Sequence, residues 1–190
     1  MTTVSIFGTG NMGNAIGGVI AAGGNAVQYI AEGSNDPITG DIVVLAVPYP
    51  AIAGIVEARR DQLAGKIVVD ISNPLDFETF DSLVVPADSS AAAQLAELLP
   101  ESRVLKAFNT TFAGTLVAKT VGGLPTTVQI AGDDVEAKKA LAEVVRAGGV
   151  NAIDAGRLTR ARELEAVGFL QLTLAAQEKI SWTGGFAVAA

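Results

Sequence analysis

The sequence predicts an α/β fold with a Rossmann-type, doubly wound parallel sheet, and two observations lead to this prediction. Short β-branched runs alternate with longer stretches of helical periodicity, which is the pattern of a parallel sheet covered by helices on both faces. A glycine-rich turn follows the first of these runs and opens the first helix. We expect a dinucleotide-binding domain over residues 1–150 and a small C-terminal portion with a closing helix over residues 151–190.

The individual elements follow from the apolar runs and from the glycines and prolines between them. We predict strands at Val4–Phe7, Ala26–Ile30, Ile42–Val47, Lys66–Asp70, Arg103–Ala107, Thr127–Ala131 and Asn151–Asp154. We predict helices at Asn11–Ala22, Ala51–Gln62, Ser90–Leu99, Thr115–Val121, Val135–Ala147 and Arg160–Ile180. Beyond the closing helix, a tail with the chain's single tryptophan, Trp182, is expected to pack against a second copy of the chain.

The stretch between the second and third strands is short. A complete doubly wound domain places a further helix and strand there, but only Ala31–Asp41 are available, which is too few for both with their turns. We infer that this second half-unit is trimmed. The adenosine end of a dinucleotide site should therefore be shallow and open on one side.

Composition narrows the classes of function. The chain has 190 residues, a net charge of −7, no Cys and no His. Disulfides, thiol nucleophiles and histidine acid–base catalysis are therefore excluded, and we expect no metal site. The acidic balance argues against nucleic acid as a partner. No apolar run is long enough to cross a membrane, and the N-terminal residues lack the pattern of a secretion signal, so we expect a cytoplasmic protein.

The glycine-rich turn reads Gly8-Thr9-Gly10-Asn11-Met12-Gly13. Gly8 permits the tight turn, Gly10 lets the backbone approach a pyrophosphate, and Gly13 allows the helix to pack closely on the strand. The N–H groups of Thr9–Met12, at the helix N-terminus, would hold the phosphates. The pattern alone arises by chance in glycine-rich chains, but its position between a strand and a helix predicts a site for a nicotinamide dinucleotide.

The residues after the second strand bear on which dinucleotide is bound. A carboxylate at the position of Glu32 normally binds the adenosine ribose hydroxyls and disfavours the 2′-phosphate of NADP. Alternatively, Glu32 is a solvated loop residue. Ser34 and Asn35 could donate hydrogen bonds to a phosphate, although no Arg or Lys lies close in the sequence. These residues by themselves favour NAD.

Polar or ring-bearing residues follow three further strands, in the segments Val47-Pro48-Tyr49-Pro50, Ile71-Ser72-Asn73-Pro74 and Phe108-Asn109-Thr110-Thr111. Ligands bind at the carboxyl ends of strands in open α/β sheets, so we expect these residues to hold the nicotinamide ribose and carboxamide. The alternative is structural, with Pro48 and Pro74 ending strands and Asn73 capping a turn.

No catalytic residue can be identified. Reduction of a ketone needs a proton from a positioned acid, but His is absent, and Tyr29 and Tyr49 lack a Lys four residues further on. Lys106 lies in or at the end of a strand, where a structural or ribose-contacting role is expected. Flavins and deazaflavins exchange ring protons with solvent, so the missing acids favour a flavin-like acceptor.

Several segments distributed over nearly the whole chain resemble a known family. They are Phe7–Gly13, Asp41–Pro48, Lys66–Asp70, Asn73-Pro74, Val104–Thr110, Asp154–Leu158 and the helix residues Arg160–Leu174. In this order they resemble the coenzyme F420-dependent NADP oxidoreductases. They are also similar to the related cytosolic reductase domains of six-helix membrane metalloreductases.

The resemblance implies a homodimer and direct hydride transfer between NADPH and a deazaflavin. It implies that Thr9–Met12 hold the pyrophosphate and that the nicotinamide ribose and ring lie among a set of strand-end residues, namely Val47, Pro48, Asn73, Asn109 and Thr110. The family usually carries a basic pair after the second strand for the 2′-phosphate, and Ala31-Glu32 occupy that place here.

Two classes of function remain open from the sequence. The first is a nicotinamide-dependent oxidoreductase that transfers a hydride between NAD(P)H and a small-molecule acceptor, either F420 or a flavin. NADP is the family expectation, and Glu32 leaves NAD open. The alternative is a non-catalytic redox sensor that binds a dinucleotide without turning it over.

Overall fold

The computed structural model describes residues 1–189, and its main elements confirm the α/β alternation predicted from the sequence. The strands are β1 (Thr3–Phe7), β2 (Ala26–Ile30), β3 (Ile42–Leu45), β4 (Ile67–Asp70), β5 (Arg103–Lys106), β6 (Thr120–Val121), β7 (Leu124–Pro125), β8 (Thr127–Gly132) and β9 (Asn151–Gly156). The α-helices are α1 (Asn11–Ala22), α2 (Ile52–Leu63), α3 (Ala91–Leu98), α4 (Ala113–Ala118), α5 (Val135–Ala147) and α6 (Ala161–Ala176). Single 3₁₀ turns at Tyr49–Ala51 and Leu158–Arg160 precede α2 and α6.

The main sheet is mostly parallel, which confirms the predicted fold class, but one of its strand pairs is antiparallel. Its strand order is β2-β1-β3-β4-β5-β8-β9. The first five strands are parallel, β8 pairs antiparallel with β5, and β9 is parallel to β8. The cause is the length of α4, whose six residues span only about 9 Å. Because α4 cannot return the chain across the sheet, β8 starts from the edge at which β5 ends.

The segment between α4 and β8 also differs from its prediction. The helix expected over Thr115–Val121 ends at Ala118, because Lys119 adopts a left-handed conformation with φ +58°. The next residues form the hairpin of β6 and β7, which turns at Gly122 and Gly123. Apolar periodicity over so short a stretch does not distinguish a helical turn from a two-residue strand.

The trimmed half-unit is confirmed. β2 is the outermost strand on its side of the sheet, and residues 31–41 contain no helix or strand. At the opposite edge, β9 starts at Asn151 and pairs with β8 in the same sheet. The division of the chain at residue 150 stays a prediction.

The core has two layers, one on each face of the sheet. Alternate residues of β3 point to opposite faces, so Val44 joins one hydrophobic cluster and Val43 the other. The first cluster contains buried residues of α1, α4 and α5, and the second contains those of α2 and α3 together with the start of α6. All four residues of β3 are buried, as expected for a strand covered on both faces.

A buried ion network joins the ends of the two central strands to the closing helix. Lys106 at the end of β5 places its Nζ 2.7 Å from Asp70 Oδ2, 2.8 Å from Glu165 Oε1 and 2.6 Å from the carbonyl oxygen of Ser72. Asp70 ends β4 and Glu165 lies on α6. All three ionisable side chains are buried. Of the two roles expected for Lys106, structural or ribose-contacting, these contacts support the structural one, and its partner Glu165 was not predicted from the sequence.

The network contains two carboxylates and one ammonium group, so it carries an excess negative charge if all three ionise. The first N–H groups of α3, from Ala91 and Ala92, donate to the Glu165 carboxylate at 2.9 and 3.3 Å and offset part of this charge. Burial raises the pKa of Glu165 above its ordinary value, while Lys106 acts in the opposite direction. Lys106 and the two N–H groups therefore stabilise the Glu165 carboxylate and offset part of the free-energy cost of burying it.

Replacing Lys106 by Met leaves two carboxylates facing each other in the core without a cation. We expect Lys106→Met to lower the free energy of unfolding by about 3–5 kcal/mol, as measured by urea denaturation. Lys139→Met is the matched control, because Lys139 is exposed on α5 and its replacement should change the stability by less than about 0.5 kcal/mol. Equal effects of the two substitutions would contradict a structural role for the network.

Candidate functional site

The glycine-rich turn has the geometry that its three glycines predict. Gly8 adopts φ +103°, and a Cβ atom there would overlap the carbonyl oxygen of Ala46. A Cβ atom on Gly13 would overlap the carbonyl oxygen of Gly8, so α1 packs against the turn at a distance that only glycine allows. A Cβ atom on Gly10 would meet no heavy atom within 4 Å. The space above Gly10 is therefore open to a ligand.

The N-terminus of α1 has the features of an anion site. Its cap residue, Gly10, provides no side-chain hydrogen bond, and the first turn contains no acidic residue. The side-chain amide of Asn14 donates to the carbonyl oxygen of Thr9 at 2.7 Å and fixes the turn. Backbone N–H groups at the start of this helix are thus available to an anionic ligand. These features fit the diphosphate of a dinucleotide.

Two cavities lie on either side of this turn. The first, which we call the β2-side cavity, has a volume of about 660 Å³ and lies at the carboxyl ends of β1, β2 and β3. Its lining includes the predicted residues Gly8, Thr9, Gly10, Glu32, Ser34, Val47 and Pro48. It also includes Arg59 of α2, which was not among the predicted site residues and is 25 residues from Ser34 in the chain.

The second cavity, which we call the β5-side cavity, has a volume of about 880 Å³ and lies beyond the ends of β4 and β5. Its lining includes the predicted residues Asn11, Met12, Asn73 and Asn109, together with residues from α4, α6 and the C-terminal tail. Among the described residues that line it, none has an ionisable side chain. The cavity is therefore uncharged and largely apolar.

The tail contributes an aromatic wall to the β5-side cavity of its own chain. The ring centroids of Trp182 and Phe112 are 5.1 Å apart, at an interplanar angle of 53°. The buried side chain of Gln171 accepts a hydrogen bond from the N–H of Phe186 at 2.9 Å and fixes the tail on α6. Trp182 nevertheless remains 53% exposed. The tail thus packs on its own chain, and its contact with a second copy stays a prediction.

Two asparagines, Asn73 and Asn109, form two hydrogen bonds with each other at the edge of the β5-side cavity. Asn73 Nδ2 donates to the carbonyl oxygen of Asn109 at 3.0 Å, and Asn109 Nδ2 donates to Asn73 Oδ1 at 3.0 Å. Asn109 Nδ2 also donates to the carbonyl oxygen of Leu164 on α6, at 2.8 Å. A Cβ atom on Gly168 of α6 would overlap Asn73 Oδ1. Gly168 therefore lets α6 approach and fix the pair.

Strain and unpaired polar atoms are concentrated at the same edge of the sheet. Phe108 is fully buried yet has φ +63°, a conformation that is uncommon for a bulky residue. Its carbonyl oxygen accepts two hydrogen bonds from Thr111, from N–H at 3.0 Å and from Oγ1 at 2.7 Å. Three buried side-chain polar atoms in the described chain lack a hydrogen-bond partner, Ser72 Oγ, Asn109 Oδ1 and Thr110 Oγ1. Such features are typical of functional sites.

Other predicted residues lie outside both cavities. Gly13, Pro74 and Thr110 are buried behind the lining, and Tyr49 turns away so that its hydroxyl pairs with Gln94 Oε1. Burial raises the pKa of the Tyr49 hydroxyl, to which the nearby Glu165 and Asp70 contribute. Val47 and Pro48 line the β2-side cavity, whereas Asn73 and Asn109 line the β5-side cavity.

One signal in the sequence could have identified a further lining residue, Arg59. The buried residues of α2 are Ile52, Val56, Arg59 and Leu63, at the spacing of one helix face, so Arg59 occupies a position that its neighbours fill with apolar side chains. A charged residue on an apolar stripe is uncommon unless it has a partner. Phe112 and Trp182 gave no such signal, because their contact depends on how the tail folds back.

The mostly parallel sheet, the glycine turn and the two flanking cavities define a fold of the dinucleotide-binding class. The family described as coenzyme F420-dependent NADP oxidoreductase matches residues 29–74. The F420-dependent NADP reductase of Methanothermobacter thermautotrophicus is 31% identical over 162 residues, which cover 80% of this chain and 69% of that protein. The chain belongs to the coenzyme F420-dependent NADP oxidoreductase family.

Two further comparisons extend this result. The metalloreductase STEAP3 of Rattus norvegicus is 37% identical over 141 residues, 74% of this chain but only 27% of that protein. The crystal structure of a candidate F420-dependent NADP reductase from Arthrobacter sp. FB24 covers the whole of both chains, with a TM-score of 0.85 and 26% identity. No helix within residues 1–189 has the length and apolar character needed to span a bilayer.

The close approach of α6 to the asparagine pair can be tested with two helix glycines. Gly168→Ala forces a methyl group against Asn73 Oδ1, so we expect it to lower the free energy of unfolding by about 1–3 kcal/mol. Gly18→Ala in α1 meets open space and should raise it by about 0.5–1 kcal/mol. Urea denaturation measures both. A Gly168→Ala protein as stable as Gly18→Ala would contradict the packing described.

Proposed function

We propose that the protein is an NAD(P)H-dependent oxidoreductase that reduces a flavin-like or deazaflavin acceptor in the β5-side cavity. The observation that carries this proposal is the chemistry of that cavity. It lies beside the glycine turn, has a volume of about 880 Å³, and has no ionisable side chain in its described lining. An acceptor bound there can receive a hydride from the nucleotide. It cannot receive a proton from an ionisable side chain, because the described lining contains none.

This chemistry discriminates between acceptors. A carbonyl that accepts a hydride becomes an alkoxide and needs a general acid within hydrogen-bonding reach. The chain has no His, and the hydroxyl of Tyr49 is outside the cavity and already paired with Gln94. The ring nitrogen of a flavin or deazaflavin can take its proton from water. The acceptor would thus gain a hydride from the nucleotide and a proton from solvent, which balances the reduction.

The residues of the site have separate roles in this proposal. The N–H groups of Thr9–Met12 bind the diphosphate, and the β2-side cavity holds the adenosine end. The other end of the dinucleotide then reaches the β5-side cavity beside Asn73 and Asn109, whose amides are fixed by each other and by α6. When bound, NADPH supplies the hydride. Trp182 and Phe112 form an aromatic wall against which a planar acceptor can stack.

We further propose NADP as the preferred dinucleotide, a homodimeric state and a cytoplasmic location. The names of the archaeal relatives, F420-dependent NADP reductases, support NADP use. Exposed apolar side chains near the β5-side cavity, among them Val117 and Leu170, support an interface with a second copy. The cytoplasmic location rests on the sequence analysis and on the family.

The decisive experiment has two stages. NADPH and NADH are first titrated in parallel by isothermal calorimetry, and we expect binding of at least NADPH. NADPH oxidation is then measured by absorbance with F420, FMN, a cyclic imine and a ketone in turn. We expect turnover with F420 or FMN. Turnover confined to the imine or the ketone would overturn the proposed acceptor class, and binding without any turnover would favour the redox sensor.

The aromatic wall provides a sharper test of where the acceptor binds. We expect Trp182→Ala to raise the KM for the ring acceptor about two- to tenfold, because one stacking contact is lost, and to leave NADPH affinity unchanged. Trp182→Phe should retain most of the affinity. Phe186→Ala is the control, since Phe186 belongs to the same tail but does not line the cavity. An equal effect of Trp182→Ala and Phe186→Ala would show that the tail acts only in folding.

A further inference from the structure

Arg59 of α2 is a buried cation without an anionic partner. It is only 9% exposed, and no carboxylate within the described residues lies within 4.0 Å of its guanidinium nitrogens. Its hydrogen bonds go to two backbone carbonyl oxygens of the loop after β2. The Nη2 group donates to Ser34, and the Nη1 group donates to Asp36 at 3.2 Å.

This arrangement leaves the charge of Arg59 uncompensated. A guanidinium group has five N–H donors, and two carbonyl oxygens engage only part of them. Carbonyl dipoles satisfy hydrogen bonds but do not neutralise a full positive charge, and buried charges in proteins are normally paired. Arg59 also occupies the apolar stripe of α2, where Ile52, Val56 and Leu63 are its buried neighbours. A cation at such a position is well suited to bind an anionic ligand.

The position of Arg59 indicates which anion would bind. It lines the β2-side cavity together with Gly10 of the glycine turn and with Glu32. Among the described residues that line this cavity, Arg59 is the one cation and Glu32 the one anion. A dinucleotide whose diphosphate lies on the glycine turn and whose adenosine extends over the end of β2 places its ribose here, and an Arg at this place accommodates a 2′-phosphate.

We propose that Arg59 binds the 2′-phosphate of NADP and makes this protein select NADP over NAD. The proposal rests on the proposed function, because it requires the dinucleotide to occupy the β2-side cavity. The basic pair expected after the second strand is replaced here by Ala31-Glu32. The cation instead comes from α2, where Arg59 lines the same cavity and hydrogen-bonds the loop after β2.

Two neighbouring residues are less suited to this role. The hydroxyl of Ser34 donates to Asp36 Oδ2 at 2.7 Å and is therefore already engaged within the loop. Asn35 is exposed and can offer only an uncharged amide. Glu32 is exposed and would repel a phosphate, so the selectivity for NADP depends on the attraction by Arg59 exceeding that repulsion.

The test measures binding rather than turnover. Isothermal calorimetry gives the Kd of NADPH, NADH, 2′,5′-ADP and 5′-ADP for the wild-type protein, Arg59→Gln, Arg59→Lys and the control Arg60→Gln, whose residue is exposed on the same helix. For Arg59→Gln we expect about tenfold to hundredfold weaker binding of NADPH and 2′,5′-ADP, with binding of NADH and 5′-ADP changed less than about twofold. Arg59→Lys should lose less, and Arg60→Gln should behave like the wild type.

The possible failures can be told apart. If the wild type binds neither NADPH nor NADH, the proposed function fails and this inference with it. If the wild type binds dinucleotides but Arg59→Gln leaves the ratio of the two affinities unchanged, only the inference is overturned. An equal loss for the phosphorylated and unphosphorylated ligands would also overturn it, because Arg59 would then serve only to hold the loop at Ser34 and Asp36.

Discussion

The contact between Lys106 and its two carboxylates is the interaction on which the arrangement of the site depends. It joins the ends of β4 and β5 through Asp70 and Lys106 and fixes α6 to them through Glu165. Glu165 in turn binds the N-terminus of α3. One helical turn further along α6, Gly168 reaches the asparagine pair that edges the β5-side cavity. The ion network thus sets the distance between the closing helix and the strand ends.

The two cavities divide recognition from chemistry. The β2-side cavity contains both charged residues of the lining, Arg59 and Glu32, and is suited to distinguish one nucleotide from another by electrostatics. The β5-side cavity has no charge in its described lining and presents apolar and aromatic surfaces together with two fixed amides. Between them lies the glycine turn, of which Gly8, Thr9 and Gly10 line the β2-side cavity and Asn11 and Met12 line the β5-side cavity. A dinucleotide that spans the turn would place its charged groups in one environment and its reactive ring in the other.

Local patterns in the sequence predicted local features well. The bounds of α1 and α5 match the prediction, and the three glycines of the first turn have the steric roles assigned to them, because a strand followed by a glycine turn and a helix is determined by neighbouring residues. The trimmed half-unit could likewise be deduced, since a chain of limited length cannot form both a helix and a strand.

Features that depend on distant residues could not be deduced in this way. Glu165 lies 74 residues from Ala91, to which it is hydrogen-bonded, and only the assembled fold brings them together. The same holds for Arg59 and the loop at Ser34, which are 25 residues apart. The antiparallel direction of β8 depends on the short length of α4. Apolar periodicity does not determine the length of so short a helix.

A crystal structure with bound NADP⁺ would test the central claim, that one dinucleotide spans both cavities across the glycine turn. We predict that the diphosphate lies on the N–H groups of Thr9–Met12, with the adenosine in the β2-side cavity and the nicotinamide ring in the β5-side cavity beside Asn73 and Asn109. A diphosphate bound away from the turn, or a nicotinamide ring outside the β5-side cavity, would contradict the account.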